Sequence, residues 1–317
     1  MVRPLLSIFM QAFNEHENLQ ETLESLLGQT FKDFILYCID NGSNDNTFSI
    51  IKDFASKDKR VIPIRIEEND PYIGYKMMLK AKTKFCQFAA GHDIYKSTFI
   101  EKCIHELENS ADAVLAYPLA CYLYKDNRIE LIEPIFNICF NTPYSRFISV
   151  LTLCHYNYPI YGIIRANVFN RLSTKCMVPG IDHILLAEIS LYGNFKLVGE
   201  PLLFLRQRKI SGEVEDYSSY VKRHKFIEGN GLMNFIGWYE TLKNISKDYV
   251  NGDIKSIFLI AALYSSLLRY SYIFYEGSTG EAFNQIINWI KNESEGLIEK
   301  LEAIFTAVLP KRDYKII

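Results

Sequence analysis

An apolar run, Phe34-Ile35-Leu36-Tyr37-Cys38-Ile39, ends in the acidic stretch Asp40-Asn41-Gly42-Ser43-Asn44-Asp45-Asn46-Thr47. Directly behind it comes Phe48-Ser49-Ile50-Ile51-Lys52-Asp53-Phe54, spaced as a helix. Few architectures accept this order. A buried strand, a glycine-containing turn and a helix make one βα unit of an open α/β sheet. Asn46 or Thr47 is expected to cap the helix. In such sheets ligands meet the carboxyl ends of the strands, which makes Asp40 a candidate ligand-binding carboxylate. A polar turn selected for its geometry alone would use the same letters.

The start of the chain has the same design. Residues 5–10 read as a first strand, Gln11-Ala12-Phe13-Asn14-Glu15 as its loop, and residues 18–27 as an amphipathic helix. Further strands are expected at 61–66, 85–90 and 113–117, with helices at 74–82 and 97–107, the latter capped by Ser97 or Thr98. Pro63 suits only an edge strand or a bulge. This βαβα order predicts a mostly parallel open sheet with helices on both faces. Residues 118–160 read as hairpin-like and aromatic-rich, 181–191 as a helix, and 197–205 as one or two strands. From about Tyr217 onward the period is helical, so two domains are expected: an α/β domain over 1–215 and an α-helical C-terminal extension over 216–317.

Bulk properties narrow the function. The 317 residues carry a net charge of −2, which argues against a nucleic-acid binder. Seven cysteines lack Cys-x-x-Cys spacing and read as reduced core residues, neither a disulfide framework nor a zinc site. Met1-Val2-Arg3-Pro4 runs straight into a strand without a signal-peptide pattern, so a cytoplasmic protein is expected. The longest apolar stretch, 257–268, is interrupted by Arg269 and falls short of the ~20 residues of a membrane span. The aromatic cluster Tyr270, Tyr272, Phe274 and Tyr275 suits a membrane surface or a partner chain equally.

Three segments together resemble the opening of family 2 glycosyltransferases of the GT-A fold: Gln11-Ala12-Phe13-Asn14-Glu15, Ser25-Leu26-Leu27-Gly28-Gln29-Thr30, and Asp40-Asn41-Gly42-Ser43-Asn44-Asp45-Asn46-Thr47. The resemblance covers about residues 4–211. It implies an inverting enzyme that moves a sugar from a nucleotide donor, most simply a UDP-sugar, to a glycan or lipid-linked acceptor in polysaccharide biosynthesis. It also implies that Asp40 recognises uracil, with Ala12, Asn14 and Glu15 lining the donor. Ala12 stands where the family has threonine. Ala89-Ala90-Gly91-His92-Asp93 falls where the family has its Asp-x-Asp signature for a divalent ion, Mg²⁺ or Mn²⁺. Ala90 and His92 replace two carboxylates, leaving Asp93 as the metal ligand beside Gly91 and His92. The plainer reading of Asp93 is a turn residue or a cap.

Pro179-Gly180-Ile181-Asp182 resembles a helix-opening Gly-x-Asp whose aspartate serves as general base, an inverting transfer needing one carboxylate to take the acceptor's proton. An N-cap is the competing role for Asp182. Leu205-Arg206-Gln207-Arg208-Lys209 resembles a basic loop over the diphosphate, with Arg206 and Arg208 as phosphate contacts. Tyr161-Gly162-Ile163-Ile164-Arg165 resembles an acceptor-side strand, while Lys76 reads as a solvated lysine. The C-terminal helices are open to three uses: packing on the catalytic domain, forming a homodimer, or peripheral membrane association. Two other functions stay open. A nucleotidyltransferase would want a glycine-rich basic loop, which Gln11 to Glu15 lacks, and a decayed nucleotide-binding scaffold would explain Ala90 and His92.

Overall fold

The computed structural model describes residues 3–132, 138–154, 157–172, 181–207 and Ile245. The chain divides into two compact units, Met1–Glu215 and Asp216–Ile317. The expected helical extension lies outside the described residues except at Ile245. In the first unit the elements run β1 (Leu6–Ala12), α1 (Leu19–Leu27), β2 (Phe34–Asn41), α2 (Thr47–Lys57), β3 (Val61–Ile66), α3 (Ile73–Met78), β4 (Phe85–Ala90) and β5 (Ile94–Tyr95). Then follow α4 (Phe99–Asn109), β6 (Ala113–Leu123), β7 (Ile129–Leu131), α5 (Pro143–Leu153), β8 (Ile163–Arg165), α6 (Ala166–Phe169), α7 (Ile181–Tyr192) and β9 (Asn194–Arg206).

Among the described residues one sheet orders its strands β3-β2-β1-β4-β8-β6-β9-β5, with β7 paired to β6. The expected parallel pairing holds from β3 to β4. Beyond β4 the sheet is mixed: β8 runs antiparallel to β4 and β6, while β6 and β9 are parallel. All six residues of β4 are buried, the mark of a strand covered on both faces. Pro63 sits on the edge strand β3, where its missing N–H costs no ladder bond. β6 outruns the expected strand because a register shift at Pro118/Leu119 absorbs the proline as a bulge.

Two local expectations are corrected. Neither Asn46 nor Thr47 caps α2 with its side chain. Asp45 Oδ1 instead accepts from the Thr47 N–H, at 2.8 Å. Thr98 makes no cap bond either. The region read as loose and hairpin-like contains a true hairpin, β6–β7, and also the helix α5, capped by Thr142 accepting from the Ser145 N–H. The cysteines Cys38, Cys86, Cys103, Cys121 and Cys154 are buried, and Cys139 is exposed. Burial pushes the Cys38 and Cys86 thiols far above their usual range, which makes them inert core residues. Among the described residues no helix is long and apolar enough to cross a membrane.

Candidate functional site

The tips of β1 and β2 are stitched together through their loops. Asn14 takes a left-handed backbone (φ 54°), a conformation asparagine tolerates. Its N–H donates to Ser43 Oγ at 2.9 Å, and its Oδ1 accepts from the Asn44 N–H at 3.0 Å. The Glu15 N–H donates to Thr47 Oγ1 at 2.8 Å, so Thr47 joins the loops instead of capping α2. His16 and Asp45 close the outer rim with an Nδ1–Oδ2 contact of 2.7 Å. Gly42, at φ 79°, lets the second loop turn back against Glu67, whose carbonyl would lie 3.0 Å from a Cβ there.

Asp40 is fully buried at this junction. Its Oδ1 accepts from the Ser43 N–H at 3.2 Å. Arg65, in register with Asp40 across β2 and β3, brings NH1 to 3.3 Å from Oδ2. That contact lacks hydrogen-bond geometry, and Oδ2 is a buried oxygen with no donor. With the Arg65 charge beside it but no hydrogen bond, this buried oxygen is open to an incoming N–H. Arg65 itself is held by Phe48, whose ring lies 5.0 Å away, and by the Ser43 carbonyl at 3.2 Å. Next to Asp40, Asn41 fixes the 69–70 segment by accepting from the Asp70 N–H and donating to Asn69 Oδ1 and the Asp70 carbonyl.

The turn after β4 brings Asp93 against the same loops. The Gly91 N–H donates to the Gln11 carbonyl at 2.9 Å. A Cβ on Gly91 would come within 2.7 Å of the Ala12 Cβ, so Ala12 and Gly91 form a tight floor that admits no larger pair unchanged. Buried Glu15 places Oε1 at 3.0 Å from His92 Nδ1, and His92 Nε2 lies 3.8 Å from Asp93 Oδ1. Arg206, at the end of β9, donates its backbone N–H to Asp93 Oδ1 at 3.0 Å and its Nε to the His92 carbonyl at 3.0 Å. Its NH2 reaches Glu21. Burial pushes the Asp93 carboxyl above its usual range, against the pull of His92 and the Arg206 N–H.

Among the described residues no group of three His, Cys, Asp or Glu side chains converges to hold a metal ion. Asp93 fits a hard cation of the kind held by one carboxylate and substrate phosphates, and does not fit a cage made by protein alone.

Asp182 stands in the first turn of α7. Its Oδ1 accepts from the Tyr75 hydroxyl at 2.8 Å. Burial raises the Asp182 carboxyl above its usual range, and the Tyr75 hydrogen bond acts the other way. Gly74, next to Tyr75, donates its N–H to Gln11 Oε1 at 3.1 Å, which ties this corner to the β1 loop. The structure therefore gathers Ala12, Asn14, Glu15, Asp40, Gly91, His92, Asp93 and Arg206 into one connected network at the carboxyl ends of β1, β2 and β4, with Asp182 joined to it through Tyr75.

The Arg165 guanidinium is engaged by backbone carbonyls. Its Nε donates to the Ala113 carbonyl at 2.7 Å, and NH2 reaches the Leu107 carbonyl at the end of α4. Lys76 pairs with Asp70 at 2.7 Å on the surface. Arg208, Lys209, Pro179 and Gly180 lie outside the described residues. Sequence reasoning missed Tyr75, Arg65 and the structural purpose of Gln29. Arg65 was findable only through the β2–β3 register. The signal for Gln29 was present, since it belongs to a quoted motif, but its meaning was architectural: it is fully buried and bonds to Ser25, Tyr95, Lys96 and Ile100, pinning the segment behind Asp93.

The sequence profile described as glycosyl transferase family 2 matches residues 7–172, more than half of the 317 residues. An uncharacterized glycosyltransferase of Methanocaldococcus jannaschii is 32% identical over 136 residues, covering 41% of this chain and 46% of its own length. The UDP-Glc:alpha-D-GlcNAc-diphosphoundecaprenol beta-1,3-glucosyltransferase of Escherichia coli is 33% identical over 106 residues, covering 33% of this chain and 41% of its own. These matches thus span less than half the length of either relative. Among solved structures, S. aureus TarS 1–349 in complex with UDP superimposes with a TM-score of 0.60 at 16% identity, covering 94% of this chain and 82% of that one. At that identity the likeness speaks for the fold.

Proposed function

The chain belongs to glycosyl transferase family 2, and from that premise we propose that it transfers a sugar, with inversion, from a UDP-sugar to a hydroxyl of a glycan or lipid-linked acceptor. The observation that carries this reading is the buried, donor-less Oδ2 of Asp40 at the tip of β2. A uracil imide N–H would supply the missing hydrogen bond. The UDP and UDP-GlcNAc bound by TarS support a nucleotide-sugar of this kind, and the undecaprenol-linked substrate in the name of the E. coli relative supports a lipid-linked acceptor. A cytoplasmic enzyme, peripheral on a membrane or dimeric through its C-terminal helices, is consistent with such a substrate.

Each residue then has one task. Asn14 and Glu15 hold the donor loop, and Ala12 and Gly91 form the floor under the diphosphate. Asp93, with His92 beside it, would hold Mg²⁺ or Mn²⁺ at the phosphates. Such an ion neutralises the charge that the leaving diphosphate gains. Arg206 fastens the Asp93 turn, and Arg208, two residues on in the sequence, is assigned to the phosphates. Asp182 takes the proton of the acceptor hydroxyl as its oxygen attacks the anomeric carbon. The bond from that carbon to phosphate oxygen breaks, and its electron pair leaves with the nucleoside diphosphate.

A calorimetric panel of nucleotide sugars, run with and without Mn²⁺, tests the assignment. One UDP-sugar is expected to bind in a metal-dependent way, and Asp40→Ala to weaken it about ten- to a hundredfold, the worth of a hydrogen bond to a charged group. No response to any donor would contradict the proposal and favour a non-catalytic scaffold.

A further inference from the structure

Tyr75 is a tyrosine in a short helix, 4% exposed, whose ring stacks on Phe88 at 4.4 Å. Apolar packing accounts for the ring. It does not account for the hydroxyl, which is aimed at Asp182 Oδ1 from 107 residues away in the chain. Phenylalanine would fill the same space without bringing a polar atom into the core. The hydroxyl is also a dependable donor: burial first, and then the nearby Asp182 and Tyr161, push its pKa well above the usual range, so it keeps its proton.

The other end of the connection lies in the donor loop. Gln11, the last residue but one of β1, accepts the Gly74 N–H on Oε1 and donates Nε2 to the Pro71 carbonyl at 3.3 Å. Its backbone carbonyl takes the Gly91 N–H. One residue therefore fixes the start of α3, the donor loop and the turn that leads to Asp93. The next residue after Gly74 holds Asp182.

We infer that Tyr75 is a positioning residue for the reaction: its hydroxyl fixes the direction of the Asp182 carboxylate, and α3 ties that direction to the donor loop through Gly74 and Gln11. With Oδ1 committed to Tyr75, Oδ2 is the oxygen assigned to receive the acceptor's proton. The hydrogen bond also favours the ionised carboxylate, the form a base needs, against the burial that opposes it. Among the described residues, the groups that act on Asp182 are the Tyr75 hydroxyl from α3 and its own backbone N–H; Tyr161 acts on Tyr75. This inference rests on Asp182 being the base.

The test uses the full chain and follows turnover against pH together with donor affinity. Tyr75→Phe removes only the hydroxyl. Turnover is expected to fall about ten- to a hundredfold, the acid limb of the profile to move upward by about one pH unit, and donor affinity to stay as in the wild type. Replacing Tyr75 by 3-fluorotyrosine, a stronger donor of nearly the same shape, is expected to move the limb downward. A merely structural tyrosine would lower stability and leave the limb in place. A folded Tyr75→Phe with wild-type turnover and limb overturns the inference; should that variant fail to fold, an unmoved limb in the 3-fluorotyrosine enzyme overturns it equally. Asp182→Asn separates the two levels. If it retains turnover, the base assignment fails and this inference with it. If it is inactive while both Tyr75 replacements behave as wild type, only the role of Tyr75 is lost.

Discussion

Asp45 and Asp182 are both acidic residues beside helix starts, and their surroundings treat them oppositely. Burial of Asp45 would raise its pKa, but hydrogen bonds from Thr47 and His16 outweigh it and bring it down to about 2. Its native pKa lies below the ordinary value, so it stabilises the fold at neutral pH and loses that contribution as pH falls toward about 2. Among the described residues, the Tyr75 hydroxyl and its own N–H act on Asp182 against burial, and its pKa is raised. The native state then holds the proton more tightly than the unfolded chain, and stability is lost as pH rises through the native pKa. The proposed base role would account for a carboxylate kept at that cost. Asp182→Asn keeps an oxygen for Tyr75 and removes the charge. Urea unfolding at mildly alkaline pH is expected to show it as stable as the wild type or more so, and a clear loss there would return Asp182 to a structural role.

At the scale of elements, the helix α1 and its trailing loop act on the site from a distance. Gln29 fills its hydrogen-bonding capacity with three backbone carbonyls and the Ile100 N–H. Gln29→Leu would strand those buried groups, and a loss of about 1–3 kcal/mol is expected in urea titrations. Donor affinity should fall with it, because the same contacts hold the β5 segment behind Asp93; unchanged affinity would uncouple them. The parallel half of the sheet was legible because buried strands, polar tips and amphipathic helices alternate from Leu5 to Tyr117 without a break. α5 was not, since Phe147, Ile148 and Leu151 sit among Pro143, Tyr144 and Ser145, where hairpin and helix cues overlap. Its purpose is visible only in three dimensions: Arg146 donates to the Ser190 and Leu191 carbonyls and closes the C-terminus of α7. The contacts of Arg165 with the Ala113 and Leu107 carbonyls are likewise visible only in three dimensions. A guanidinium that serves backbone carbonyls is indistinguishable, as a letter, from one that serves a substrate. Strand-tip residues such as Asp40 and Asp93 were readable because their place follows from the βα order; Tyr75 was not, because its partner lies on an element distant in sequence.

Across the whole catalytic unit, the parallel strands β1, β2 and β4 present the groups assigned to the donor, and α7, packed on α5 and against β6, presents the group assigned to the acceptor. The proposed function divides the work between Asp93 and Asp182. Donor affinity and turnover, measured side by side on Asp93→Ala and Asp182→Asn with the UDP-sugar that the panel selects, test that division. Asp182→Asn is expected to bind donor as the wild type does while turnover drops roughly 10²–10⁴-fold, and Asp93→Ala to lose metal-dependent donor binding together with turnover. Near-normal turnover in Asp182→Asn, or undiminished metal-dependent binding in Asp93→Ala, would contradict the division of labour.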